Sequence, residues 1–245
     1  MAEQILWKAN TTFHDWSDGK FIHQLLDQAI DLGLLGAVTW RKIGIRGETE
    51  AIAPKHIHDL TSHLPTPLPD EPPHSYLEVG GDRPFPWVVK LSISPWDEED
   101  NLPTSMSSIW LFFAKKSIAT ASHSQKLFDA FCQVHHPDNT EYACIHPYQH
   151  WLDFANQYYQ PPVTIGPMFK GVFWANFLGT GHLGEFDLEK LANIANLETK
   201  WINNQGLFFK AKGNILDIEN SSHEAELKQL TEIFRDAIRL DSKWR

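Results

Sequence analysis

The chain has 245 residues, 42% of them hydrophobic, with 31 acidic against 21 basic side chains and a formal net charge of -10. Its length allows a core that removes roughly 70–75% of the unfolded surface from water, in one large domain or two small ones, which excludes a disordered tail. The acidic balance excludes direct binding to DNA or RNA, whose phosphates need a basic face, and disfavours an anionic membrane surface; it suits a basic protein partner.

Residues 1–10 carry neither the basic region nor the apolar run of a signal peptide. No window reaches the roughly 20 apolar residues of a membrane span, so a cytoplasmic location is expected. Asp18 precedes a helical pattern of Phe21, Ile22, Leu25, Leu26, Ala29 and Leu32, which Gly33 stops. Val38 to Arg46 reads as a strand, and a short helix is expected from Pro54 to Leu64. The prolines of 65–75 cannot enter a helix or a sheet interior and mark a linker. The chain thus divides into an N-terminal α/β segment (1–64), this linker, and a main domain (76–245) that can merge with the first.

Tyr76–Val79 and Trp87–Ser94 read as adjacent strands, followed by an aromatic strand at Ser108–Phe113. A helix from Ala119 to Val134 places Leu127, Phe128, Phe131 and Val134 on one face, and Tyr142–Ile145 is the next strand. An apolar strand is expected over Phe169–Leu178, its odd and even residues buried on opposite faces. It leads to a helix over Leu188, Leu191 and Ile194, and to strands at Leu197–Ile202 and Leu207–Lys212. Asn203 to Gly206 between them suit a tight hairpin turn. A closing helix, Glu224–Leu240, carries Leu227, Leu230, Ile233, Phe234, Ala237 and Ile238 on its stripe, with Ser221 or Ser222 as cap. Strand–helix–strand followed by helix occurs twice. The expected class is α+β, with a mixed or mostly antiparallel sheet, helices packed on one side, and two structurally similar halves.

The residues that could carry chemistry point to structure instead. Among 13 histidines, His146 and His150 stand four apart, but Pro147 takes His146 off the helix, and no carboxylate completes a zinc motif. His56 and His58 would share a face only on a strand. His135 and His136 close a helix, where imidazole suits the dipole. Cys132 with His135 or His136 would form a nucleophile pair, yet a cysteine on the apolar side of a helix is inert. Cys132 and Cys144 are expected as free thiols in a reducing compartment. No metal or cofactor is expected, nor catalysis. Trp174, Asn176 and His182 would line a pocket if the chain bound a small molecule. Trp96 beside Asp97, Glu98, Glu99 and Asp100 offers an aromatic anchor in an acidic loop, as a protein-binding face would.

Gly171, Trp174, Asn176 and Gly179 form a Gly-x-x-Trp-x-Asn-x-x-Gly strand, followed by His182, Leu183, Leu188 and Leu191. This pattern resembles one in bacterial immunity proteins that neutralise polymorphic or type VI-secreted toxins. The resemblance extends in outline over residues 76–240 and is specific over 169–191. It implies a non-catalytic cytoplasmic inhibitor of a cognate protein toxin, for which a basic nuclease-like effector would suit the negative charge. The motif is structural, so the resemblance transfers no inhibitory residues; Trp96 to Asp100 stand as the expected contact surface. The competing readings are a small-molecule-binding domain or enzyme with its pocket near Trp174, Asn176 and His182, and an adaptor subunit of a larger complex.

Overall fold

The computed structural model describes residues 3–11, 20–43, 49–50, 75–93, 107–152, 171–195, 197–218 and 220–242. Its strands are β1 (Gln4–Thr11), β2 (Trp40–Ile43), β3 (Thr49–Glu50), β4 (Ser75–Gly81), β5 (Trp87–Ile93), β6 (Ser107–Ala114), β7 (Thr140–Pro147), β8 (Ala175–Leu178), β9 (Leu197–Ile202) and β10 (Gly206–Ala211). They join one sheet in the order β3-β2-β4-β5-β6-β1-β7-β8-β10-β9, and each pairing is antiparallel. The helices are α1 (Lys20–Asp31), α2 (Ala121–Val134), α3 (Thr180–Leu183), α4 (Leu188–Ala192) and α5 (Ser221–Asp236). Residues 148–152 are also helical.

β1 is the seam. One meander, β2-β4-β5-β6, lies on one side of it and β7-β8-β10-β9 lies on the other, so the N-terminal segment supplies the strand that joins them. β1 is missing from the elements read in the sequence because Lys8 and Asn10 interrupt its apolar run. The structure buries both, along with Ile5, Leu6, Trp7 and Ala9. The expected linker and the expected 54–64 helix lie outside the described residues, apart from Ser75.

Both faces of the central strands are apolar, and this decides where the helices go. On one face Trp7 meets Phe131 and His135 of the α2 end, at ring separations of 5.8 Å, and Phe21 of α1 packs on His135. On the other, Phe209 of β10 stacks on Phe234 of α5 at 4.6 Å, while Trp110 of β6 meets Trp151 at 5.3 Å. The α+β class and antiparallel sheet agree with the sequence. Helices on one side describe α1 and α2; α5 and 148–152 cover the opposite face.

Local signals explain the helix ends. α1 stops in a Schellman turn: Gly33 has φ +69°, Leu34 N–H donates to Ala29 O at 2.9 Å, and Gly33 N–H donates to Ile30 O at 2.8 Å. The Thr120 hydroxyl caps α2, and Asp187 caps α4 through the amides of Glu189 and Lys190. For α5 the N-cap is Asn220, one residue before the expected serines. The helix closes at Asp236 rather than Leu240, because the following residues turn to bridge Phe186 with Ile238.

Candidate interaction surface

The glycine–tryptophan–asparagine motif is wholly internal: residues 171–179 are all buried. The strand is shorter than expected, starting at Ala175. Asn176 explains the delay. Its side-chain oxygen accepts from Phe173 N–H at 3.0 Å and its amide donates to Phe173 O at 2.8 Å, so the side chain takes the place of a neighbouring strand. This bend overturns the expected face assignment for two residues. Trp174 lies on the α2 side, 6.3 Å from Phe128, and Phe173 lies on the opposite side against His146, at 5.2 Å. The Trp174 indole donates to Gly213 O at 3.3 Å. Gly171 has φ +135°, open to few other residues. At Gly179 a Cβ would stand 2.3 Å from Thr140 O, which explains a glycine at the β7–β8 edge. His182 is buried and stacks on Tyr142 at 5.6 Å, with Nδ1 3.6 Å from Glu141. Trp174, Asn176 and His182 are thus all buried, each against named partners of the sheet and its helices.

The histidine and cysteine candidates have structural partners too. His135 accepts from the Trp7 indole at 2.8 Å through Nε2, and its Nδ1 faces Thr140 Oγ1 at 3.0 Å. Burial pushes its pKa down to about 3, so it is a neutral bridge between α2 and β1 and not a cation at a helix end. His146 lies on β7, as Pro147 implied; it accepts Trp174 N–H at 3.2 Å. Burial first, then His150, lowers its pKa to about 3. Burial pushes the Cys132 thiol up to about 12, which removes the thiolate a nucleophile needs. Neither Cys132 nor Cys144 is in a disulfide. Among the described residues, no group of three or more His, Cys, Asp or Glu could hold a metal ion. His56, His58 and the acidic loop Trp96–Asp100 lie outside the described residues.

Two buried lysines carry no signal in the sequence. Lys8 Nζ lies 4.6 Å from the Trp110 ring centre and 5.5 Å from that of Trp151. Lys210 Nζ lies over Phe128 at 4.8 Å, donates to Gln125 and pairs with Glu198, both at 3.0 Å. Aromatic faces replace much of the water each cation loses. Strand alternation could have placed either lysine on a face, but not between two rings from distant segments.

The surface beside α4 and the end of α5 is different. Leu188 is 37% exposed, Ile233 39% and Leu240 84%. The sequence put Leu188 and Ile233 on buried stripes; the structure leaves both partly exposed at the rim of two adjoining grooves. Asp187, Glu189, Asp236 and Asp241 border these grooves, with Lys190 and Arg239. Both cations are engaged: Lys190 donates to Asp236 O at 3.2 Å, and Arg239 grips Asp241 through two bonds of 2.9 and 2.7 Å. The 239–242 tail is clipped in place by Arg239 N–H to Glu185 O at 2.9 Å, and by Ser242 Oγ to Glu185 Oε2 at 2.6 Å. The result is an ordered apolar patch with an acidic border, a combination suited to a protein partner.

No family model matches the chain, and neither does any curated protein. Among solved structures it is similar to the T6SS protein PA0821 of Pseudomonas aeruginosa, with a TM-score of 0.57 over 97% of this chain and 73% of that one, at 10% identity. The two share a fold. At that identity the likeness concerns the fold alone, and it reaches across β1 and both meanders. The described residues contain no helix long and apolar enough to cross a membrane.

Proposed function

We propose that this chain is a T6SS-associated immunity protein: a non-catalytic binder that neutralises a cognate toxin inside the producing bacterium. The observation that carries the reading is the fold shared with a T6SS protein over nearly the whole chain. The resemblance at Gly171, Trp174, Asn176 and Gly179 supports it from an independent direction. The acidic-bordered patch of Leu188, Ile233 and Leu240 offers a contact surface beside the loop at Trp96 to Asp100 that the sequence singles out. Apolar anchors there would set the lifetime of the complex, while a net charge of -10 would speed its encounter with a basic toxin.

The test is genetic. Each secreted protein encoded beside this gene is expressed in a heterologous bacterium, alone and together with this chain. One of them should arrest growth alone and lose that effect when the chain is present. Growth arrest unchanged by the chain for every toxic neighbour would overturn the proposal.

A further inference from the structure

β9 forms one end of the sheet and pairs with β10 alone among the described residues. Glu198, Thr199 and Lys200 at its middle are exposed, with Leu197 and Trp201 half-buried beside them. The hairpin holding it is well defined. Asn203 and Asn204 have φ +45° and +58°, and Gln205 N–H donates to Ile202 O at 2.8 Å, as in a type I′ turn. An edge with unpaired backbone groups is a template for another strand, and here the side chains specify which one.

We propose that β9 pairs antiparallel with β9 of a second copy of this chain, joining two ten-stranded sheets about a two-fold axis at Thr199. Such an axis keeps each face continuous, so a residue can only oppose one an even number of positions away. Centred on Thr199, the register sets Leu197 against Trp201, Glu198 against Lys200, and Thr199 against its own copy. Each is a favourable cross-strand pair: apolar with aromatic, opposite charges, and Thr with Thr. The neighbouring allowed registers fail, since centring on Glu198 sets two carboxylates face to face, and centring on Lys200 sets two ammonium groups face to face. Glu198 already meets Lys210 across the hairpin at 3.0 Å. Pairing would extend this into a ladder of Lys210, Glu198 and the second copy's Lys200, repeated by symmetry. Six residues of strand reach only about 20 Å, short of a standard interface, so the dimer is concentration-dependent. This inference stands apart from the toxin proposal.

Sedimentation equilibrium of the full chain tests it. Wild type should pass from the 28.1 kDa monomer to twice that mass as concentration rises. Lys200→Glu places Glu against Glu twice and should weaken association about tenfold; Glu198→Lys places Lys against Lys with the same effect. Mixing the two variants restores both Glu–Lys pairs and should recover association about tenfold stronger than either variant shows alone. A wild type that stays monomeric, or variants that dimerise as well as wild type, would overturn the proposal. Thr199→Cys covers the case in which Glu198→Lys does not fold: mild oxidation should cross-link Thr199→Cys chains and leave Lys200→Cys chains largely uncoupled. Equal cross-linking at the two positions would also overturn it.

Discussion

Asn176 shows how one side chain can set the course of a buried segment. Its two hydrogen bonds to Phe173 bend the chain so that Trp174 and Phe173 enter opposite faces of the sheet. Asn176→Ala should cost about 2–4 kcal/mol, because two buried backbone groups lose this partner. For a chain of this size that lowers Tm by roughly 5–15 °C; a melt within 2 °C of wild type would refute the role. His135 and His146 carry a second prediction at this scale. Both have pKa values lowered by burial from 6.5 to about 3, so the unfolded chain binds protons in that interval that the folded chain does not. The stability is complete above pH 6.5 and falls as pH drops toward 3. Between pH 6 and 5, two such groups cost about 2 kcal/mol, measurable in urea titrations; a flat profile there would contradict the buried neutral assignment. The sequence identified these histidines as structural rather than metal-binding, but the pairing of His135 with Trp7 spans 128 positions and had no local trace.

At the scale of elements, legibility followed periodicity. α1 and α2 have strong amphipathic stripes with a stop or cap, Gly33 and Thr120, and they fall where the spacing puts them. β5, β6 and the β9–β10 hairpin were legible for the same reason. β1 was not, because Lys8 and Asn10 read as surface positions until Trp110 and Trp151 are seen to roof the lysine. β8 was read too long because alternation cannot foresee a side chain replacing a strand partner. Gly179, by contrast, was marked from the start, and its reason is now geometric. Gly179→Ala would drive a methyl into Thr140 O, at 2.3 Å in the present backbone, and should separate the start of β7 from β8 at a cost of about 1–3 kcal/mol. Chemical denaturation measures that loss, and an unchanged midpoint would show that the two strands approach less closely.

For the whole molecule, β1 of the first segment lies at the seam of the sheet, and the fold shared with a T6SS protein runs across it. The candidate contact patch was illegible in sequence because its residues sit on otherwise buried stripes. Leu188, at the start of α4, and Ile233, inside the last turn of α5, are partly exposed all the same. We propose that the chain neutralises a toxin by binding it through this patch. The decisive measurement is calorimetric titration of the neutralised toxin, once growth rescue has identified it, into wild type and into the Ile233→Asp/Leu240→Asp double variant. Wild type should bind with one-to-one stoichiometry, and the double variant should keep its melting temperature while losing at least tenfold in affinity, as loss of apolar anchors does. Equal affinity for both proteins would exclude binding through this patch.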